Sequence, residues 1–135
     1  MTNEKLMEFA KKSKERSYSP YSRFSVGAAL LTKGGKIYTG ANIENASYPA
    51  TICAERVAIF KAISENEREF EKIAISGDCD DFCFACGVCR QVMSEFCGDN
   101  FKIILQNKDE IKEFTLGELL PYSFKLKEDE KNEND

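Results

Sequence analysis

The sequence predicts a single α/β domain, and three observations carry that expectation. Its 135 residues suit one compact unit, at roughly 150 residues per domain. Apolar residues make up 42 % and charged residues 31 %, the usage of a chain that buries a core. Apolar spacing switches between helical and strand periods in the order α, β, β, α, β, α, β and a short α. That order suggests a sheet begun by a hairpin and extended by strand-helix-strand crossovers.

The elements follow in turn. Residues 3–16 put Leu6, Met7, Phe9 and Ala10 on one face of a surface helix whose remainder is Lys, Glu and Arg. Ser17 to Ser22 is turn chemistry, after which Phe24, Val26, Ala28 and Leu30 alternate along a strand to Gly34-Gly35, and Ile37 and Tyr38 return from the hairpin. Gly40 to Pro49 is a polar loop. A helix begins at Cys53, carries Val57, Ala58, Ile59 and Ile63, and closes near Asn66. Ile73 to Ser76 is a short strand leading into a Cys-rich loop, Asp78 to Ala85. A further helix starts at Cys86 and ends near Gly98, and Phe101 to Leu105 is the next strand. Thr115-Leu116-Gly117-Glu118 has the spacing of a capping box before Leu119, Leu120 and the stop at Pro121. The domain is expected over residues 1–124. The acidic tail 125–135, in which Leu126 is the apolar residue, is expected to be at least partly mobile.

Composition excludes whole classes of function. Nineteen Lys plus Arg against 23 Asp plus Glu give a net charge of −4, so stable binding to a nucleic acid polymer or an anionic membrane is not expected. There is no histidine. Ser-His-Asp triads, Cys-His nucleophiles and zincin HExxH sites are therefore excluded, and any metal must be held by Cys, Asp or Glu. Six cysteines are many for this length. With no apolar signal core in MTNEKLMEFAKKSKER and no run near the ~18 residues of a membrane span, a cytoplasmic protein is expected, in which cysteines read as metal ligands rather than disulfides.

The thiols have a pattern. Cys86-Gly87-Val88-Cys89 is a CxxC, and Cys53 lies 33 residues upstream at the start of another helix. Three thiolates at two helix N-termini suit zinc, because the helix dipoles and free N–H groups stabilise negative sulfur. Three protein ligands leave a fourth position for water, as in catalytic zinc sites. A redox CxxC and a structural four-Cys site completed by Cys79 or Cys83 are the alternatives. Glu55 lies two residues after Cys53, where its carboxylate can reach the water beside the metal; a first-turn glutamate that merely suits the helix dipole is the plainer alternative.

Cys53-Ala54-Glu55-Arg56 together with Cys86-Gly87-Val88-Cys89-Arg90-Gln91 resembles the zinc-dependent cytidine deaminases of the small homotetrameric kind that use three cysteines. Ser19 to Ala28, Gly40 to Pro49 and Leu119-Leu120-Pro121 extend the resemblance over about residues 3–124. One departure is Ala85, where the family usually has a proline before the CxxC.

The resemblance implies a three-layer α/β/α domain with a mixed, roughly five-stranded sheet, and one Zn²⁺ per chain on Cys53, Cys86 and Cys89. It implies hydrolytic deamination of cytidine and 2′-deoxycytidine to uridine and 2′-deoxyuridine with release of ammonia, Glu55 carrying the proton from water to N3 and then to the leaving group. It assigns Asn42 and Glu44 to the ribose, Phe24 to the pyrimidine face and the Ala54 backbone to the base edge. Ala46, Tyr48 and Phe124 are implied to reach a neighbouring subunit's site in a homotetramer. Arg56 has a physical role besides: three thiolates on Zn²⁺ leave an excess negative charge, and a guanidinium donating to the sulfurs counters it. Cys79, Cys83 and Cys97 have no place in the family's site. The rival readings are a deaminase of the blasticidin S type, which the Phe24 and Asn42/Glu44 set disfavours, and a non-catalytic structural zinc module.

Overall fold

The computed structural model describes residues 1–126; residues 127–135, and with them most of the tail expected to be mobile, lie outside the described residues. The elements are α1 (Asn3–Ser13), a 3₁₀ turn (Lys14–Arg16), β1 (Val26–Thr32), β2 (Ile37–Ala41), a second 3₁₀ turn (Tyr48–Ala50), α2 (Ala54–Ser64), β3 (Phe70–Gly77), α3 (Gly87–Phe96), β4 (Lys102–Gln106), β5 (Ile111–Thr115) and α4 (Leu116–Leu119). The strands form one five-stranded sheet in the order β2-β1-β3-β4-β5. β3 and β4 are parallel and every other pair is antiparallel.

Helices cover both faces, so the central strands β1, β3 and β4 carry buried apolar residues on both sides rather than on one. Ala28, Leu30, Ile73, Ile75, Ile103 and Leu105 pack under α2, α3 and α4, against Ala58, Ile59, Cys89, Met93 and Leu116. Ala29, Leu31, Ala74 and Ile104 point the other way, to Leu6, Met7 and Ala10 of α1. The alternation of Val26, Ala28 and Leu30 therefore marks only one of the two buried faces. Phe9 does not join the core and is 38 % exposed; the inward face of α1 is closed by Ser13 instead.

Local chemistry sets the ends. The Thr2 hydroxyl accepts the Lys5 N–H at 3.1 Å and starts α1, and the Thr115/Glu118 capping box starts α4 as its spacing predicts. β5 was not legible in the apolar pattern. It is an edge strand whose charged Lys112 and Glu113 are both exposed, and it is held to β4 by an Asx turn in which Asn107 Oδ1 accepts the N–H of Asp109 at 2.9 Å and Glu110 at 2.7 Å. β2 is the opposite edge. Its register turns the Thr39 carbonyl away from β1, and Lys61 Nζ donates to that oxygen at 2.6 Å.

Gly40 brings α2 against β2. A Cβ there would lie 2.5 Å from Ala54 O and 2.6 Å from Ala58 N, so only glycine lets the first turn of α2 sit on the sheet. That first turn carries the residues the sequence singles out.

Candidate active site and metal centre

Cys53 and Cys86 are the N-cap residues of α2 and α3, both in extended backbone conformation. Cys89 is the third residue of α3, and its N–H lies 3.4 Å from Cys86 Sγ, so this sulfur takes the place of an N-cap oxygen. The loop before Cys53 is fixed by a two-way bridge, with Ile43 and Ile52 exchanging N–H···O bonds of 3.0 and 2.9 Å. The loop before Cys86 is fixed by Arg90. Its Nε donates to Ala85 O at 2.8 Å and its Nη1 to Leu119 O at 3.0 Å, which supplies from α3 the restraint that Ala85, unlike a proline, does not.

The three sulfurs lie within 4.8 Å of one another. Cys53 and Cys86 are 3.6 Å apart, and Cys86 and Cys89 are 3.3 Å apart. Thiolates on a tetrahedral zinc with bonds of ~2.3 Å sit about 3.8 Å apart, so the donor set fits that ion with small adjustment. All six cysteines are free thiols. Cys79 and Cys83 lie outside the cluster, and among the described residues no other group of His, Cys, Asp or Glu has this arrangement. Burial pushes the Cys83 thiol up to about 11 and that of Cys97 to about 12, so neither is a ready thiolate.

The cluster favours negative charge on one of its sulfurs. A hydrogen bond from the Cys89 thiol, followed by the Arg56 guanidinium, brings Cys53 down to about 5, while Cys89 is driven upward by the same bond and by burial. Arg56 Nη2 is 3.5 Å from Cys53 Sγ. Its Nε is buried with no partner, which leaves one further donor beside the sulfurs. Glu55, the second residue of α2, is buried on the same turn; desolvation first, and the charge on Cys53 next, raises its carboxyl to about 7. Ala54 between them is fully buried, as the first residue of a helix whose first N–H groups have no intrahelical partner.

Phe24, Asn42 and Glu44 gather around the segment 17–26, and their polar atoms are already engaged. Asn42 Oδ1 accepts from Ser17 Oγ at 2.5 Å and from the Val26 N–H at 2.9 Å, and Nδ2 donates to Phe24 O at 2.8 Å. One Nδ2 hydrogen is left over. Glu44 Oε1 accepts the N–H groups of Tyr21 and Ser22 at 2.9 and 3.1 Å, and Oε2 accepts the Ser22 hydroxyl. The Ser22 bonds hold the Glu44 carboxyl below its ordinary range. Glu44 and Tyr48 share a cavity of about 420 Å³ with Tyr21, Ser22, Asn45 and Thr51. Ala46 is exposed, Tyr48 is 78 % exposed and Phe124 is 67 % exposed, so within this chain none of the three is buried in the site. Ser17, Ser22 and Arg90, which no motif in the sequence marks as site residues, support it through the contacts above. The density of serines between Ser17 and Ser25 was the available signal.

A family profile for the cytidine and deoxycytidylate deaminase zinc-binding region matches residues 1–105. The chain belongs to that family. A cytidine deaminase of Sporosarcina psychrophila is 48 % identical over 125 residues, 92 % of each chain. One of Halalkalibacterium halodurans is 50 % identical over 125 residues, covering 92 % of this chain and 95 % of the relative. In three dimensions the chain is similar to the crystal structure of cytidine deaminase from Burkholderia pseudomallei, with a TM-score of 0.88, 43 % identity, and 92 % of this chain and all of that one covered. The three-layer architecture, the mixed sheet and the zinc-binding character implied by the sequence are thus those of the family.

Proposed function

We propose that the chain hydrolyses cytidine and 2′-deoxycytidine to uridine and 2′-deoxyuridine with release of ammonia, using Zn²⁺ held by Cys53, Cys86 and Cys89. The observation that carries the reading is the first turn of α2, where a buried carboxylate, Glu55, stands two residues from one thiol of a three-thiol cluster. A bound zinc supplies Lewis acidity, which lowers the pKa of a coordinated water toward about 7.

Glu55 does the proton work. It takes the first proton of the water whose oxygen bonds to C4 and delivers it to N3, and this protonation makes C4 electrophilic at the moment of attack. It then moves the second proton from the new C4 hydroxyl to the amino group, and the C4–N bond breaks to release ammonia and leave the 4-oxo base. Burial suits this traffic, since desolvation disfavours the charged carboxylate and makes Glu55 a readier proton acceptor. Arg56 donates to Cys53 and offsets the excess charge of three thiolates.

Around this centre Phe24 packs on the pyrimidine, the Ala54 backbone meets the base edge, and Asn42 and Glu44 receive the ribose. Ala46, Tyr48 and Phe124 complete a neighbouring pocket in a homotetramer, which accounts for their exposure here. The substrate is a free nucleoside: a net charge of −4 does not favour a polymer. No helix among the described residues is long and apolar enough to cross a membrane, and free thiols in this number suit the cytoplasm.

The test is ammonia release from cytidine, deoxycytidine and blasticidin S by zinc-loaded protein, with Glu55→Gln alongside. Turnover of the two nucleosides, a loss of more than about 10²-fold in the variant and retained zinc are expected. Turnover of blasticidin S in their place favours the rival deaminase, and no turnover of any of the three favours the structural zinc module.

A further inference from the structure

Phe24 lies between β1 and the 17–23 turn, outside any regular strand. Its segment is nonetheless bonded on both sides, and in each case a side chain replaces the missing neighbouring strand. On the β2 side the substitute is the Asn42 amide, which meets Phe24 O and the Val26 N–H. On the β3 side the backbone ladder ends at the pair Val26 and Gly77. The next residue, Asp78, continues it, as Oδ2 accepts the Ser25 N–H at 2.9 Å.

The Asp78 carboxylate is itself anchored. Lys14, in the 3₁₀ turn after α1, places Nζ 3.4 Å from Asp78 Oδ1 and 3.3 Å from Gly77 O. Gly77 meets the tip of the ring: a Cβ there would lie 3.2 Å from Phe24 Cζ and 2.7 Å from Cys83 Sγ. Gly77, the last residue of β3, and Asp78 after it therefore meet the tip of the Phe24 ring and hold the backbone that follows it. Arg23, just before, has a φ of +59°, a left-handed conformation that a non-glycine residue adopts only when its surroundings impose it.

We propose that Asp78, held by Lys14, is a positioning residue that fixes Phe24 against the pyrimidine from the side opposite Asn42. This rests on the assignment of Phe24 to the base made above. A ring stacked on the base contributes before and during the reaction alike, so loss of its anchor weakens binding more than it slows chemistry.

Asp78→Ala is expected to raise KM for cytidine about tenfold, the effect of one lost hydrogen bond, with kcat changed less than about threefold and zinc content unaltered. Asp78→Asn keeps an acceptor for the Ser25 N–H and is expected within about 1.5-fold of the parent KM. In a Phe24→Ala background, Asp78→Ala should add nothing, because the residue it positions is gone. An unchanged KM in Asp78→Ala, or an effect that multiplies with that of Phe24→Ala, overturns the proposal and leaves the assignment of Phe24 standing. A Phe24→Ala enzyme with the parent KM removes that assignment, and the role of Asp78 with it. Should Asp78→Ala not fold, Lys14→Met is read the same way: a rise of about threefold in KM that vanishes in the Phe24→Ala background supports the proposal, and the parent KM overturns it.

Discussion

Glu44 accepts two backbone N–H groups and a hydroxyl from the Tyr21-Ser22 turn, so the carboxylate assigned to the sugar also shapes the loop beside it. Its two duties are separable. Glu44→Ala should lower kcat/KM on cytidine by more than on 3′-deoxycytidine, and the loss common to both substrates measures the turn. The larger loss on cytidine arises because the 3′-hydroxyl is left without its partner. Equal losses would assign Glu44 to the turn alone.

The same carboxylate gives a pH prediction. Its folded pKa lies below the ordinary 4.5 because Ser22, first through its hydroxyl and then through its N–H, stabilises the charged form. The linked stabilisation of the turn is full above the unfolded value and is lost as pH falls through the lower folded one. Amide shifts of Tyr21 and Ser22 followed by NMR should move with a midpoint below 4.5, and in Glu44→Gln that step should be missing. A midpoint at or above 4.5 contradicts the bonding seen here.

Zinc occupancy separates the six thiols. Alanine at Cys53, Cys86 or Cys89 removes a sulfur from a cluster spanning 4.8 Å and should abolish tight binding. Alanine at Cys79, Cys83 or Cys97 should leave one zinc per chain. Metal analysis of the purified variants decides it, and zinc loss in Cys83→Ala would revive the four-Cys alternative.

Assembly is tested at the C-terminal segment. Gln91 Nε2 donates to Phe124 O at 3.1 Å and Ser94 Oγ to Ser123 Oγ at 3.2 Å, so Ser123 and Phe124 are tied to α3 with the Phe124 ring left outside. Truncation after Pro121 should reduce turnover of cytidine and shift the solution mass, read by light scattering, below that of four chains. A fully active monomer would show that each pocket is complete within its own chain.

Much of this site was legible because its chemistry is local. An N-cap, a CxxC and a glutamate in a first helical turn are fixed by spacing of one to three residues, and Cys53, Glu55, Cys86 and Cys89 all fall in that class. So does the Thr115 capping box. What escaped depends on partners distant in the chain. β3 begins at Phe70 rather than Ile73, because Lys72, which reads as a break in an apolar run, is buried with Nζ bonded to Met1 O at 3.0 Å and Asn3 Oδ1 at 2.8 Å. Asp78 reads as loop acid until Ser25 and Lys14 are beside it. β5 escaped for a different reason: an edge strand needs no continuous apolar stripe, and its position is set by the Asn107 turn.

Lys61 on the Thr39 carbonyl bears on how copies of this chain can meet. An unpaired sheet margin is a template on which another chain can add a strand, the route to continuous cross-chain sheets and to aggregation. Here the middle residue of β2 offers an oxygen already taken by an ammonium, and a strand arriving from outside would have to displace a charge. Sheet extension along that border is thereby discouraged. Any meeting of copies at this border would then rest on side chains, which add no strand and leave the sheet at five.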